Sequence, residues 1–378
     1  MALRVLVVSH AAVVDVNQEP FAALRDEGAE VTVIAPRALT TDIRGRIALS
    51  VLEGFEANVV GLPIALGGYR RALGGQRGIH LIVYRGLARA IAEANPDVIF
   101  VEEEPYSLAA RQAARIALGR KTPFVVHENQ NIVRTLPPPF GSFRRQVLER
   151  AAGVTVRNKA AADLVRAHGF DGPISSLPHG VDPARFKAQR RSMLERPVVG
   201  FVGRLVPEKG IMDLIAAVAS LRERTGAGSL LVVGDGPLLA EARARAASHG
   251  IPAEFTGALD HAAVPQWYAG MDVVAIPSHT TRTWMEQFGR IVIEANAAGV
   301  PVVVSDSGEL PETVAATGGG VIVPEGNIDL LRDAIAKVCE DEAWRTAVGS
   351  VGADAVSRLF TPRAIAEVFH RFLCEVAG

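Results

Sequence analysis

Two doubly wound α/β domains are predicted by this sequence, on three observations. Short runs rich in Val and Ile, apolar on both faces, recur from one end of the chain to the other. Longer amphipathic stretches separate them, and three of these end in glycine, two with proline just beyond. The length, 378 residues, suits about two domains of ~150 residues each.

The runs are RVLVVSH (4–10), EVTVIAP (30–36), DVIFVE (97–102), PFVVHE (123–128) and GVTVRN (153–158). They resume at PVVGFVG (197–203), SLLVVGDG (229–236), DVVAIPS (272–278) and PVVVSD (301–306). A β-branched run apolar on both faces fits a parallel strand buried under helices. The stretches between them close on LRDEGAEV (24–31), ASHGIP (247–252) and NAAGVP (296–301), each with Gly at the expected helix end. Residues 178–197 interrupt the alternation with turn formers and basic residues, which places the domain junction there. The last stretch, TPRAIAEVFHRFLCEVAG, reads as a helix with Thr361 as N-cap and Pro362 at its first position. Ile365, Val368, Phe369 and Leu373 form its expected apolar face.

Composition narrows the partners. Hydrophobic residues make up 49 % and charged residues 21 %, which excludes disorder, collagen and coiled coil. A formal net charge of −1 lacks the basic footprint of a nucleic-acid binder, so none is expected. Two cysteines, Cys339 and Cys374, exclude a disulfide scaffold and suggest a reducing compartment. The N-terminus lacks the pattern of a signal peptide, and no run of 18 apolar residues exists. The expectation is a cytoplasmic chain. Arg70, Arg71, Arg77, Arg85 and Arg89 form a basic segment without acids; it reads as a solvated helix face or as a peripheral contact with anionic headgroups at the inner membrane face.

Two nucleotide-binding signatures fail. The first strand–helix turn, SHAAVVDVN, has no glycine, and Gly234-Asp235-Gly236 is followed by Leu239 where a third small residue belongs. No Walker A loop is present. Two other segments carry chemistry. In EQFGRIVIEANAAG the carboxylate of Glu294 lies inside a helix apolar almost all round, costly unless it accepts hydrogen bonds. Glu286 precedes that helix, whose free amides and dipole suit an anion. The pair fits a nucleotide carrying a sugar; equally, Glu294 pairs with a core arginine and Glu286 caps the helix. In GFVGRLVPEKG, Arg204 and Lys209 flank the loop after a strand, where α/β folds place ligands. They suit a diphosphate, or they are solvated charges on a connection.

Taken in order, GFVGRLVPEKG, LLVVGDGP, FTGALD, DVVAIPS and EQFGRIVIEANAAGVPVVVSDSGELPE resemble the donor domain of the retaining GT-B glycosyltransferases of glycosyltransferase family 4. EQFGRIVIE matches that family's E-x7-E motif, and the likeness covers about 190–325. PHGVDPARF (178–186) resembles the segment leading into that domain. The resemblance implies the GT-B fold, two Rossmann-like domains facing across a cleft. They would be an acceptor domain over 1–180, a nucleotide-sugar domain over 181–357, and a helix over 358–378 returning to the first.

It also implies roles. Arg204 and Lys209 would clamp the donor diphosphate and take up leaving-group charge, beside Gly203. Glu286, with the backbone of Gln287, Phe288 and Gly289, would bind the transferring sugar, and Glu294 the ribose hydroxyls. On the acceptor side the candidates are Asn17, Glu104 and His127, the last also near the reacting sugar. The first loop lacks the glycines found in many family members, and Glu104 and His127 also read as a solvated turn and a structural histidine. The expected reaction moves a hexose from a UDP- or GDP-sugar to a hydroxyl of a glycan, lipid or small molecule, with retention. No DxD is present, and no metal or other cofactor is expected; the acidic triplet at 340–342 reads as capping or coating a helix. No carboxylate stands out as a nucleophile, which favours front-face departure. The alternatives are a non-catalytic nucleotide-sugar binder and a GT-B phosphorylase or sugar-phosphate synthase.

Overall fold

The computed structural model of the chain describes residues 2–41, 45–65, 75–187 and 194–378. They form two compact units, Met1–Pro178 with Pro362–Gly378, and His179–Thr361.

The strands of the first unit are β1 (Arg4–Ser9), β2 (Glu30–Pro36), β3 (Ala38–Thr41), β4 (Gly45–Ala48), β5 (Val59–Leu62), β6 (Val98–Glu102), β7 (Phe124–Glu128), β8 (Gly153–Val156) and β9 (Ile174–Ser176). Seven build one parallel sheet in the order β5-β2-β1-β6-β7-β8-β9, while β3 and β4 pair as an antiparallel hairpin. Strand alternation sorts the apolar side chains into two cores. Leu6, Val8, Ile99, Val101 and Val126 face one side. The helix Leu108–Arg120 adds Ala109, Ala110, Ala113, Ala114 and Ala117 to this core, and Ser107 caps it by accepting from the Ala110 amide at 3.0 Å. Val5, Val7, Val98, Phe100 and Val125 face the other side.

The closing helix, Pro362–Ala377, lies on that second face. Its Phe369 ring meets Phe100 edge-on, 4.7 Å between centroids. Ile365, Phe372 and Leu373 are buried beside it, whereas Val368, expected on this face, is 45 % exposed; Phe372 takes its place. The helix starts at Pro362, its expected first position, and not at 358, where the segment boundary was drawn. Arg358 and Leu359 finish the preceding helix, Glu342–Leu359, and Phe360 packs on Phe288 at 6.0 Å within the second unit.

The second unit holds β10 (Val198–Val202), β11 (Ser229–Val233), β12 (Ala253–Phe255), β13 (Val273–Ile276), β14 (Val302–Ser305) and β15 (Gly320–Val323). All are parallel, in the order β12-β11-β10-β13-β14-β15. Val199, Phe201, Leu230 and Val232 bury into one core, and Val198, Leu231, Val233 and Val274 into the other. Both sheets run outward in opposite directions from a central pair, β1/β6 and β10/β13. Such a reversal opens a crevice at the carboxyl ends of the two strands. Among the described residues no helix is long and apolar enough to cross a membrane.

Candidate active site

In the second unit the loops leaving β10 and β13 are locked together. Gly210 ends the turn Pro207–Lys209 with φ +69°, and a Cβ there would lie 1.9 Å from the Pro277 carbonyl oxygen. The His279 amide donates to the Glu208 carbonyl at 2.9 Å, and its imidazole meets Asp213 at 2.8 Å. This clamp delivers Lys209 to Glu286. The Lys209 ammonium donates to Glu286 Oε1, which also accepts from Ser278 Oγ at 2.9 Å. The same ammonium lies 4.8 Å from the centroid of the Trp284 ring. Behind Glu286, its backbone carbonyl accepts from the Glu309 amide at 3.2 Å. Gly308 lets that chain approach, since a Cβ there would sit 2.1 Å from the same oxygen.

The other donor-side candidates fall around this pair. Gly203 follows β10, and Arg204 is exposed, with no side-chain partner among the described residues. Gln287 is exposed, Phe288 is buried with its carbonyl accepting from Thr313 Oγ1 at 2.6 Å, and Gly289 is the N-cap of the helix Arg290–Ala297. Glu286 therefore does not cap this helix. Glu294 is buried one turn in, and both of its oxygens are engaged. Oε2 accepts from the Tyr268 hydroxyl at 2.7 Å and Oε1 from Arg290 Nε at 2.8 Å. Its arginine is no core residue. Arg290 stands one turn earlier on the same helix, 34 % exposed, with its far end 2.9 Å from His261 Nε2.

The first unit gathers polar groups at the ends of β1, β6, β7 and β8. Ser9 Oγ donates to Glu102 Oε2 at 2.7 Å, and Arg157 meets Glu102 Oε1 at 3.1 Å. The His10 amide donates to Glu103 Oε1 and its imidazole meets Oε2, both at 2.8 Å. Burial alone would lower the His10 pKa; the charge and hydrogen bond of Glu103 outweigh it and raise it. Burial, then the charge of Glu128 and a hydrogen bond with it, hold the Glu104 carboxyl well above its ordinary range. The Oε2 atom of Glu104 has no partner among the described residues.

His127 is fully buried, with Nδ1 2.7 Å from Thr155 Oγ1 and Nε2 3.0 Å from Asn129 Oδ1. Burial and then the nearby Arg157 charge push its pKa well down, so the ring is neutral. The Asn17 side chain donates to the Ala11 carbonyl at 2.8 Å and so holds the first loop in shape. The first unit thus brings Glu104 into the polar cluster but occupies His127 and Asn17 internally. In the basic segment, Arg85 is exposed and Arg89 pairs with Glu93 at 2.7 Å; Arg70, Arg71 and the side chain of Arg77 lie outside the described residues.

Sequence reasoning passed over Tyr268, Ser278, Trp284, Arg290 and Arg157. Ser278 and Arg157 close apolar runs, the same strand-end signal that singled out His127. Arg290 had a local signal, its i,i+4 spacing to Glu294 on one helix, whereas Tyr268 had none. Among the described residues no group of three or more His, Cys, Asp or Glu is placed to hold a metal ion. Asp341 caps a helix, accepting from the Trp344 amide at 2.9 Å.

Family models agree with this division. Residues 183–353 match "Glycosyl transferases group 1" and residues 14–180 match a "Glycosyl transferase 4-like domain". The GDP-mannose-dependent alpha-(1-6)-phosphatidylinositol monomannoside mannosyltransferase of Mycobacterium tuberculosis is 32 % identical over 286 residues, 72 % of this chain and 74 % of the relative. The chain is a glycosyltransferase of the family 4 type. A second relative of this glycosyltransferase, the 2-deoxystreptamine glucosyltransferase of Streptomyces kanamyceticus, is also 32 % identical, over 54 % of this chain and 56 % of its own. Among solved structures, the sucrose-phosphate synthase of Thermosynechococcus elongatus aligns over 99 % of both chains with TM-score 0.70 and 20 % identity. Anabaena HepE, solved with UDP, covers 99 % of this chain and 100 % of its own, with TM-score 0.71 and 18 % identity. The glycosyltransferase has the GT-B fold.

Proposed function

We propose that this glycosyltransferase moves a hexose from a UDP- or GDP-hexose to an acceptor hydroxyl, with retention and without a divalent metal. The observation that carries the reading is the Lys209–Glu286 pair, with the exposed Arg204, at the carboxyl ends of β10 and β13. A cation already balanced by a carboxylate is poised to exchange it for a diphosphate. Arg204 offers a planar fork and Lys209 a compact charge, so together they neutralise the anion that grows on the leaving group. That role is the one Mg²⁺ fills where a metal is used.

The remaining residues divide the donor between them. Glu286, released from Lys209, accepts hydroxyls of the sugar beside the backbone of 287–289, and Glu294 accepts those of the ribose. In the transfer the bond from the sugar C1 to the β-phosphate oxygen breaks. A bond from C1 to the acceptor oxygen forms on the same face, and the hydroxyl proton passes to the departing phosphate. The printed names of the relatives, GDP-mannose-dependent mannosyl transfer and glucosyl transfer, support a hexose and favour GDP.

Thermal unfolding with UDP, GDP and ADP, each with and without Mg²⁺, tests the donor. A nucleotide at 100 times its Kd adds about 2.7 kcal/mol and raises the midpoint by several degrees. A shift with GDP or UDP alone, independent of Mg²⁺, is the expected result, and proton NMR of the product should then show the donor's anomeric configuration. No shift with any nucleotide turns the reading toward a phosphorylase.

A further inference from the structure

Glu294 is held in a way that a ribose contact alone does not require. Tyr268 stands on a separate short helix, Pro265–Tyr268, fully buried against Phe186 with ring centroids 5.7 Å apart. Its hydroxyl donates to Glu294 Oε2 at 2.7 Å, so this contact joins the helix Arg290–Ala297 to an element 26 residues earlier. The opposite oxygen is held by Arg290, which is partly exposed and tethered at its far end to His261. One restraint is fully buried, the other partly exposed. A carboxylate has about four acceptor directions, and these two donors leave the others for incoming hydroxyls.

We infer that Tyr268 is a positioning residue that fixes the Glu294 carboxylate for the ribose diol, and so sets discrimination between ribose and deoxyribose nucleotides. This rests on the donor reading proposed above. Without the tyrosine hydroxyl, Glu294 keeps only the Arg290 restraint and turns toward it, away from the orientation that two vicinal hydroxyls require. Burial, then the Glu294 charge, hold the phenol well above its ordinary range, so it stays a donor throughout the working pH.

The test is Tyr268→Phe, which removes one oxygen from a buried ring. Calorimetric Kd values for GDP and UDP are compared with those for their 2′,3′-dideoxy forms, in wild type, Tyr268→Phe, Glu294→Gln and the double variant. In wild type the ribose form should bind at least tenfold better. Tyr268→Phe should lower that ratio about five- to tenfold while leaving the dideoxy Kd within about twofold. In the Glu294→Gln background, adding Tyr268→Phe should change the ratio no further. Equal weakening of both forms would mean a merely structural tyrosine and overturn the inference. So would an unchanged ratio, or a loss in the double variant that adds to the single ones. Wild-type protein that binds neither nucleotide removes the donor reading itself. If Tyr268→Phe fails to fold, Arg290→Gln serves as the second probe: it should leave the ratio within about threefold, and a collapse to unity would overturn the assignment to Tyr268.

Discussion

Lys209 donates to Glu286 Oε1 across 77 residues of sequence, and the same ammonium sits 4.8 Å from the Trp284 ring. A carboxylate on one side and a π-face on the other hold the cation where a phosphate would be expected. Each partner of this pair is thus satisfied without a donor, and under the proposed function donor binding exchanges ligands on a cation that is already partly buried. That view separates binding from turnover in the first variant below.

Lys209→Ala should lower kcat by about 10²–10³-fold while raising the Kd for the nucleotide sugar less than tenfold. Charge on the leaving oxygen is greatest in the transition state, where Lys209 counts most. Steady-state kinetics beside calorimetry separates the two, and an equal loss in both contradicts the role.

Glu294→Ala should weaken GDP or UDP binding by about ten- to a hundredfold, the worth of hydrogen bonds to a charged acceptor. It also strips Tyr268 and Arg290 of their partner, so the unfolding midpoint should fall in the absence of nucleotide. Unchanged nucleotide affinity would take Glu294 out of the site.

Glu104→Gln should alter the pH dependence of stability. The Glu104 carboxyl is raised in the folded state, first by burial and then by Glu128, so it holds its proton longer there than in the unfolded chain. The wild-type protein is therefore unpenalised below its ordinary value of 4.5 and loses stability as pH rises from there toward the raised value. The slope for one proton is about 1.4 kcal/mol per pH unit. Glutamine does not ionise, so urea unfolding at roughly pH 5 to 8 should give a flatter profile. The variant should gain most over wild type at the alkaline end.

Gly210→Ala should cost at least about 2 kcal/mol, because a side chain there is strained at φ +69° and drives the Pro277 carbonyl away. The displaced loop carries Lys209, so nucleotide affinity should fall along with stability. Urea unfolding with a nucleotide titration checks both.

The sheets were legible where burial is complete. β1, β2, β6, β7, β8, β10, β11, β13 and β14 each lie under one of the nine apolar runs, because a strand covered on both faces needs no polar alternation. β5, β9, β12 and β15 sit at the sheet edges, half exposed, and their mixed residues resemble loops. At the site, Glu286 and Glu294 were legible because their spacing lies within one segment. Lys209 was legible as a cation after a strand, but its pairing with Glu286 was not, and Tyr268 was missed altogether, because both contacts arise by long-range packing that leaves no mark on local pattern. His127 shows the same limit from the other side. In a run apolar on both faces, position alone does not tell a strand-end histidine open to solvent from one sealed against Thr155 and Asn129.

The closing helix has a consequence for how the chain is made. Phe100 and Val125 leave the ribosome early, yet Ile365, Phe369, Phe372 and Leu373, which help to cover them, emerge only after the whole second unit has been made. The second unit is contiguous and complete by Thr361, whereas the first waits, with its second sheet face covered only in part by residues such as Phe21 and Leu24, until the helix Pro362–Ala377 emerges. Order of synthesis and order of completion are therefore reversed, and the half-built first unit is the species a chaperone would meet on the ribosome. A chain stopped short of Pro362 would keep that exposed apolar face for its whole lifetime.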